Sequence, residues 1–274
     1  MANSLRAHLE NSLEKFHAFP TALTDTQAVR SLIDSLRPME TDKELIRLGA
    51  DGDGGYLVPN DFDGVAACFS PGVGSISAFE VDCANLGMPV HLADGSVRKP
   101  PTAHLGFGFT KKFVGAISND AVMTLDQWVG STAGLADGDL LLQMDVEGSE
   151  YEVLLSVSQA LLERFRILVV EFHMLDQLWN RPFFRLASRV FERICQSHAC
   201  VHIHPNNCCG TIEKTGLSIP RVMEFTFLRR DRFKSLRPRD NFPDPLDRDN
   251  TSNPPLILPK CWFETTQDQN GENP

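Results

Sequence analysis

Apolar residues in the middle of the chain form short uninterrupted runs, separated by segments in which they recur every three or four positions. The short runs indicate strands buried on both faces of a sheet, and the spaced segments indicate amphipathic helices. The predicted strands are residues 65–69, 90–93, 113–117, 140–144, 167–173, 200–204 and 223–228. Strands that alternate with helices predict an α/β fold with a mostly parallel sheet and helices on both faces. Helical spacing is missing between the last two strands, which predicts that the last strand is antiparallel.

The segments on either side of this region have different patterns. Residues 5–16 and 29–36 have helical spacing, the second after a Thr24-Asp25 start signal, which predicts an N-terminal helical pair within residues 1–40. The glycine-rich stretch 51–55 separates two short apolar runs and predicts a hairpin or tight loop. From Lys234 onward the chain is rich in Pro, Asp, Asn and Arg. We therefore predict a main domain at 41–233 and a partly disordered tail at 234–274, in which the apolar segment 256–263 docks onto the body.

Composition narrows the class of protein. The chain has 274 residues, a formal net charge of −10 and 42% hydrophobic residues, as expected of a globular domain that does not bind nucleic acid through charge. No apolar run is long enough for a transmembrane helix, and the N-terminal stretch has no secretory signal. The seven scattered cysteines then predict free thiols in the cytoplasm. These features favour a small-molecule substrate and leave a homo-oligomer open.

A glycine turn follows the first predicted strand. Gly72, Val73 and Gly74 would let a ligand approach the backbone at the start of a helix. Asp94 ends the second strand, where an acid binds the ribose diol in nucleotide sites. The alternative is a tight turn with a surface aspartate. Neither G-x-G-x-x-G nor G-x-x-x-x-G-K-[ST] is present, which disfavours a dinucleotide or triphosphate site.

Acidic residues follow the fourth predicted strand. Asp145 directly follows the apolar run 140–144, and Glu147 and Glu150 come next. Asp145 could orient a substrate, ligate a divalent ion or act as a base. We interpret Glu150 as a residue that stabilises a helix N-terminus electrostatically. Glu147 could have that role or a role in the site.

Polar residues also end the fifth and sixth predicted strands. Glu171 and His173 share one face at the end of an apolar strand, which would place them near Asp145. A buried Glu is costly unless it is paired, so a purely structural role is disfavoured. In the stretch HIHPNNCC (202–209), the adjacent cysteines lack the two-residue gap of structural zinc motifs. A histidine or an Asn amide that reaches the cleft is favoured there, with a core role for His202 equally open.

These motifs together resemble the FkbM-like methyltransferases, a branch of the class I S-adenosylmethionine-dependent enzymes. The resemblance spans residues 45–230, and its segments are DGDGGYLVP (51–59), FSPGVGS (69–75), TLDQWV (124–129), QMDVEGSEYEVL (143–154), EFH (171–173), HIHPNN (202–207) and EFTFLRR (224–230). It implies a Rossmann-like, seven-stranded class I methyltransferase sheet.

The resemblance also implies a cofactor, S-adenosylmethionine, and the residues that bind it: Gly72, Val73, Gly74, Asp94, Gly95 and Asp126. Such enzymes usually carry an acid just before the glycine turn, whereas this chain has Phe69-Ser70-Pro71. The amino-acid end of the cofactor would then fall to Asp53 or Glu80.

The implied reaction is methyl transfer to a hydroxyl of a small molecule such as a sugar or natural product, with Asp145, His173 and Glu171 as catalytic residues. His173 or Asp145 would be the base. Some class I O-methyltransferases hold magnesium at the ends of the fourth and fifth strands, so Asp145, Glu171 and His173 are also candidate ligands for a divalent cation. The alternatives are another nucleotide- or nucleotide-sugar-binding α/β enzyme and a non-catalytic module that binds S-adenosylmethionine.

Overall fold

The computed structural model describes residues 12–15, 17, 19–132 and 138–264. The strands within these ranges are β1 (Met39–Thr41), β2 (Leu45–Gly49), β3 (Gly55–Pro59), β4 (Val65–Pro71), β5 (Val90–Ala93), β6 (Phe107–Thr110), β7 (Phe113–Val114), β8 (Val122–Met123), β9 (Asp139–Met144), β10 (Phe165–Phe172), β11 (His198–Pro205), β12 (Thr211–Lys214), β13 (Leu217–Pro220), β14 (Met223–Arg229) and β15 (Leu236–Pro238). The α-helices are α1 (Thr26–Ser35), α2 (Ala78–Asn85), α3 (Leu125–Ser131), α4 (Glu150–Ser156), α5 (Gln159–Leu162) and α6 (Arg181–Ser197). Short 3-10 helices cover Leu175–Trp179, Arg230–Arg232 and Lys260–Trp262.

In the described part of the chain, seven strands form one sheet in the order β11-β14-β10-β9-β4-β5-β6. All neighbours are parallel except β14, which is antiparallel to both β10 and β11. The mixed α/β fold with a mostly parallel sheet is therefore confirmed. The chain goes from β4 to β5 on one side and later returns as β9 on the other. This reversal creates the switch point at which open α/β sheets bind ligands.

The central strands are buried because helices α1, α3, α4 and α6 cover one face of the sheet, and helix α2 with the β2–β3 hairpin covers the other. Every residue of β10 is buried, as the uninterrupted apolar run predicts. Helix α6 begins with Pro182 in its first turn and buries an apolar stripe that includes Phe191. Phe191 packs against Phe172 of β10, with ring centroids 4.6 Å apart. This packing holds the carboxyl end of β10, where the candidate site residues follow.

The third strand of the sheet was predicted at the wrong place. The edge strand is β6, whereas Phe113 and Val114 form β7, which pairs in parallel with β8 outside the sheet. The residues of β6 are only half-buried or exposed because the strand has a neighbour on one side alone. Its sequence, FGFT, therefore lacks the apolar run of a central strand. The β12–β13 hairpin, which lies between β11 and β14 in the sequence, was not predicted.

The flanking segments agree with the sequence analysis in part. The second predicted N-terminal helix is α1, capped by the Asp25 carboxylate, whereas most of the first, residues 5–16, lies outside the described residues. The hairpin predicted around residues 51–55 is confirmed as β2 and β3. The docking of 256–263 is also confirmed, since Trp262 is fully buried in the core. In the described part of the tail, β15 pairs with β1, and the prediction of partial disorder for residues 234–274 stays a prediction.

The cysteines depart from expectation at one place. Cys208 and Cys209 are joined by a disulfide between adjacent residues, so the prediction of free thiols is wrong for this pair. The other five cysteines, all within the described ranges, are free.

Among the described residues, no helix is both long enough and apolar enough to cross a membrane.

An ion network joins the amino ends of β9 and β10 to the carboxyl end of the antiparallel β14. Arg166 donates to Asp139 at 2.7 Å, and Arg229 pairs with the same carboxylate at 2.6 Å. Arg166 is almost fully buried and also lies 3.9 Å from Asp61. Burial raises the pKa of Asp139, but the hydrogen bonds from Arg229 and Arg166 outweigh it and lower the pKa below its ordinary value.

We expect Asp139→Asn to lower the free energy of unfolding by about 2 kcal/mol at pH 7, because it removes the nearer of the two carboxylates that pair with the buried Arg166 guanidinium. The carboxylate's contribution is present above its unfolded pKa and is lost as the pH falls through its folded pKa, so wild type and variant should converge in acid. Urea denaturation of wild type and variant, at pH 7 and in acid, measures this difference in the free energy of unfolding. Arg237→Ala, which removes an exposed ion pair with Glu40, is the control and should unfold like wild type. A difference that persists unchanged in acid would contradict the account.

Candidate active site

The glycine turn after β4 approaches the carboxyl end of β9 more closely than any side chain would allow. Gly72 has φ +91°, and a Cβ at this position would lie 1.6 Å from the carbonyl oxygen of Asp145. The Asp145 N–H donates to the Pro71 carbonyl, and the Gly72 N–H donates to the Ala93 carbonyl. Only glycine combines the left-handed conformation with this contact. The turn is thereby held between the ends of β5 and β9.

Asp94 stabilises this turn from the end of β5. Its Oδ2 accepts a hydrogen bond from the Val73 N–H at 3.0 Å, and its Oδ1 accepts from the backbone N–H and hydroxyl of Ser96. The turn and Asp94 border a cavity of about 710 Å³. Gly95 lies beside the Phe113 ring, since a Cβ there would come within 2.5 Å of it. The cavity's apolar wall is formed by Val97, Phe113, Val114 and Val122.

A second, smaller cavity of about 50 Å³ lies on the other side of the turn and is lined by three acids, Asp53, Glu80 and Asp145. The two cavities share Gly72, Gly74, Ser75 and Asp145 in their linings. The structure thus brings both residues predicted for the amino-acid end of the cofactor to one place.

A buried polar network lies beneath the small cavity. Ser70 Oγ lies 2.6 Å from Glu80 Oε1 and 2.7 Å from Gln143 Oε1. Gln143 in turn donates to the Tyr56 hydroxyl. Burial raises the pKa of Glu80. One hydroxyl can donate to only one of these two oxygens at a time.

Three of the predicted catalytic side chains converge at the ends of β9 and β10. Ligand atoms of Asp145, Glu171 and His173 lie within 4.8 Å of one another. His173 Nε2 is 3.9 Å from Asp145 Oδ1, 3.8 Å from Glu171 Oε1 and 3.4 Å from the exposed Glu147. Asp145 Oδ1 has no hydrogen-bond partner among the described residues. This cluster can accept protons or hold a cation.

Glu150 has a larger role than the sequence analysis assigned to it. It lies in the first turn of α4, as predicted, but its side chain is fully buried and its Oε1 lies 3.0 Å from His173 Nδ1. The same oxygen accepts hydrogen bonds from the N–H groups of Val146 and Gly148. The Tyr151 hydroxyl donates to the His173 carbonyl. Helix α4 therefore fixes both the ring and the backbone of His173 and leaves Nε2 directed toward the acids.

Burial and mutual repulsion shift the pKa values of this cluster. Burial raises the pKa of Asp145 to about 6, although His173 opposes the shift. Burial, together with the charges of Asp145 and Glu224, raises the pKa of Glu171 to about 10. Burial lowers the pKa of His173, but Glu150 and the neighbouring acids outweigh it, so the net shift is upward. At neutral pH, Glu171 holds a proton and His173 titrates above its ordinary range.

Two other predicted positions have different outcomes. Asp126, predicted as a cofactor residue, accepts hydrogen bonds from the backbone N–H and hydroxyl of Ser158 and lines neither cavity. Since Asp126 lies in the first turn of α3, it joins this helix to the start of α5. An Asn amide was predicted to reach toward the cleft, and Asn206 Nδ2 donates to Glu171 Oε1 at 3.0 Å, although Asn206 lines neither cavity.

Several contributors to the site carry no signal in the sequence. Phe113 was assigned to a sheet strand, yet its ring lines the large cavity. Tyr56 and Gln143 occupy ordinary strand positions, and their network becomes visible only when β3 and β9 are placed together. The spacing of Glu150 and His173, 23 residues apart, gave no hint of their contact.

Comparison with known proteins agrees with the geometry. The model of the methyltransferase FkbM domain matches residues 67–197, which confirms the predicted resemblance over that range. No curated protein matches the chain significantly.

Among solved structures, the chain is similar to the crystal structure of a mutant 16S rRNA (adenine(1408)-N(1))-methyltransferase from Catenulisporales acidiphilia. The identity is 10% and the TM-score 0.29, over 67% of this chain and 98% of that chain. At this level the similarity supports no inference about the present chain.

We expect Glu150→Gln to lower the pKa of His173, because it replaces the charged acceptor at Nδ1 by a neutral amide. Titration of the His173 ring by NMR measures the change. Glu147→Gln is the matched control, since this exposed acid should shift the pKa of His173 less. An equal or larger shift in the control would contradict the assignment of Glu150 as the partner of His173.

Proposed function

We propose that the chain is an S-adenosylmethionine-dependent methyltransferase that methylates a hydroxyl of a small molecule such as a sugar or natural product. The observation that carries this proposal is the arrangement of the two cavities around Gly72, with the Asp145–His173 cluster at their edge. A cofactor that bridges both cavities would present its sulfonium methyl group near that cluster.

The residues at the cavities fit each part of the cofactor. Asp94 suits the ribose diol, and the Phe113 ring with its apolar neighbours suits the adenine face. The acids Asp53 and Glu80 in the small cavity suit the ammonium group of the amino-acid end. These two acids would replace the acid that this chain lacks directly before the glycine turn. Ser70 occupies that segment and contacts Glu80.

In the proposed mechanism, the protein aligns a hydroxyl oxygen with the methyl group and removes the hydroxyl proton. The bound cofactor supplies an electrophilic methyl group, and alignment contributes most of the acceleration. His173 Nε2 takes the proton as the new oxygen–carbon bond forms and the carbon–sulfur bond breaks. Glu150 holds the Nδ1 side of the ring and stabilises the positive charge that His173 acquires. Asp145 is the second candidate base because burial raises its pKa to about 6.

A divalent cation such as magnesium is a second proposal for the same cluster. Asp145 and Glu171 offer carboxylate oxygens, His173 offers Nε2, and the Glu150 contact at Nδ1 resembles the carboxylate support of metal-bound histidines. Asp145 Oδ1 lacks a hydrogen-bond partner in the described structure. A bound cation would polarise the acceptor hydroxyl and displace the proton that Glu171 holds, so metal binding should release a proton.

The proposal also includes a cytoplasmic location and an acceptor other than nucleic acid. Five of the seven cysteines are free, which supports the first, whereas the Cys208–Cys209 disulfide does not. The formal net charge of −10 supports the second.

Calorimetric titration tests the proposed cofactor. We expect S-adenosylmethionine and S-adenosylhomocysteine to bind, and NADH and a nucleotide sugar not to bind. We expect Asp94→Asn to lower the affinity for S-adenosylhomocysteine about tenfold. The change weakens both the hydrogen bond to the glycine turn and the proposed contact with the ribose. Binding of NADH or of the nucleotide sugar in place of S-adenosylmethionine would favour the alternative class of α/β enzyme. Cofactor binding without turnover in a broad screen of acceptors would favour a non-catalytic module.

Turnover with an acceptor found in such a screen separates the base from the cation. We expect His173→Ala to bind S-adenosylhomocysteine normally and to lower kcat by about 10² to 10³, as removal of a general base does. Full activity in this variant would contradict the proposal that His173 is the base. Unchanged wild-type turnover after dialysis against a chelator would contradict the proposal of a bound cation.

A further inference from the structure

Residues 244–253, here named the C-terminal strap, are attached to the carboxyl end of β11 and the amino end of β14 by side-chain hydrogen bonds. Asp247 Oδ1 lies 2.9 Å from His202 Nε2. Asn207 donates to the Thr251 and Asn253 carbonyls and accepts from the Thr251 N–H and hydroxyl. These contacts pair nearly every polar group of the Asn207 side chain with the strap. The segment is therefore an integral part of the methyltransferase body and not a loose tail.

The strap also contacts the glycine-rich loop 50–55 that carries Asp53. Arg248 Nε donates to Asp51 Oδ1 at 2.7 Å. Arg47 donates to the loop carbonyls of Ala50 and Gly52, and its remaining nitrogen lies 3.5 Å from the Leu246 carbonyl of the strap. One guanidinium thus joins the loop to the strap, and a separate ion pair joins them at the surface.

The loop needs such external support because few of its own side chains can anchor it. It is built around glycines: Gly54 has φ +73°, and a Cβ on Gly55 would lie 2.0 Å from the Ala50 carbonyl oxygen. Glycine lowers the cost of this tight conformation but adds no side-chain packing. Asp53 is exposed, yet it lines the small cavity. Its position therefore depends on what holds the loop backbone and on the charges around its carboxylate.

The Asn250 side chain of the strap lies between two carboxylates, those of Asp53 and Glu224. Its Nδ2 donates to Glu224 Oε1 at 2.6 Å and lies 3.5 Å from Asp53 Oδ1. Glu224 is buried and sits beside Glu171 in the strand register. Two carboxylates this close to one amide repel each other, and the two N–H groups of an amide can serve both. Without the amide, Asp53 would move away from Glu224 and from the small cavity.

We propose that Asn250, supported by Arg248, is a positioning residue that holds Asp53 in place to bind the ammonium group at the amino-acid end of the cofactor. The inference rests on the proposed function, because it assigns that end of S-adenosylmethionine to the small cavity. It extends the cofactor site to a segment outside residues 67–197, which match the methyltransferase FkbM domain.

Two nucleosides test this role without knowledge of the acceptor. S-adenosylhomocysteine carries the amino-acid end, and 5′-methylthioadenosine lacks it but keeps the adenosine. Calorimetry on the full chain with Asn250→Asp should show S-adenosylhomocysteine binding weakened about tenfold or more, because a third carboxylate replaces the amide donor. Binding of 5′-methylthioadenosine should stay within about twofold of wild type. Arg248→Ala should lower the affinity for S-adenosylhomocysteine about two- to threefold, because it removes only an exposed ion pair.

The control is Arg237→Ala, which breaks an exposed ion pair in the same C-terminal segment and should bind both nucleosides like wild type. Unchanged S-adenosylhomocysteine binding in Asn250→Asp would overturn the inference. A parallel loss of both nucleosides would also overturn it, since it indicates general damage to the fold. If wild-type protein binds neither nucleoside, the proposed function itself fails; if it binds both equally well, only the assignment of the amino-acid end fails.

Discussion

The contact between the glycine turn and the end of β9 determines the rest of the site. Gly72 can approach the Asp145 carbonyl only because it has no side chain and adopts φ +91°. This contact closes the switch point between β4 and β9, separates a large apolar-walled cavity from a small acidic one, and fixes the backbone from which the Asp145 side chain projects. A side chain at this position would push the two strand ends apart and separate the glycine turn from the cluster of Asp145, Glu171 and His173.

The cluster itself consists of acids that would repel one another in the absence of histidine, amide and proton partners. Asp145 and Glu171 are both at the end of buried strands, and burial raises the pKa of each. Asn206 donates to Glu171, and the Glu150 carboxylate orients His173 toward both. Such pKa shifts concentrate at functional sites because the fold must stabilise charges it would otherwise exclude. Proton transfer and cation binding are the two chemistries that this electrostatic arrangement favours.

Local patterns were sufficient to predict the sheet, the glycine turn and the convergence of Asp145, Glu171 and His173. Buried parallel strands have apolar runs, and their carboxyl ends meet at one edge, so residues at those ends can be placed together from sequence alone. The edge strand β6 escaped prediction because it is half exposed and lacks such a run. The Glu150–His173 contact and the strap join residues far apart in sequence through side chains, and periodicity carries no information about such contacts. The contact of Asp126 with Ser158, which begins another helix, likewise joins residues far apart in sequence and has no local pattern.

A crystal structure with S-adenosylhomocysteine tests the central claim most directly. The account predicts the adenosine in the large cavity, with the ribose hydroxyls on Asp94 and the base beside Phe113. It further predicts the ammonium group near Asp53 and Glu80, and the sulfur directed toward Asp145 and His173. A nucleoside bound elsewhere, or a sulfur that faces away from the ends of β9 and β10, would contradict the account.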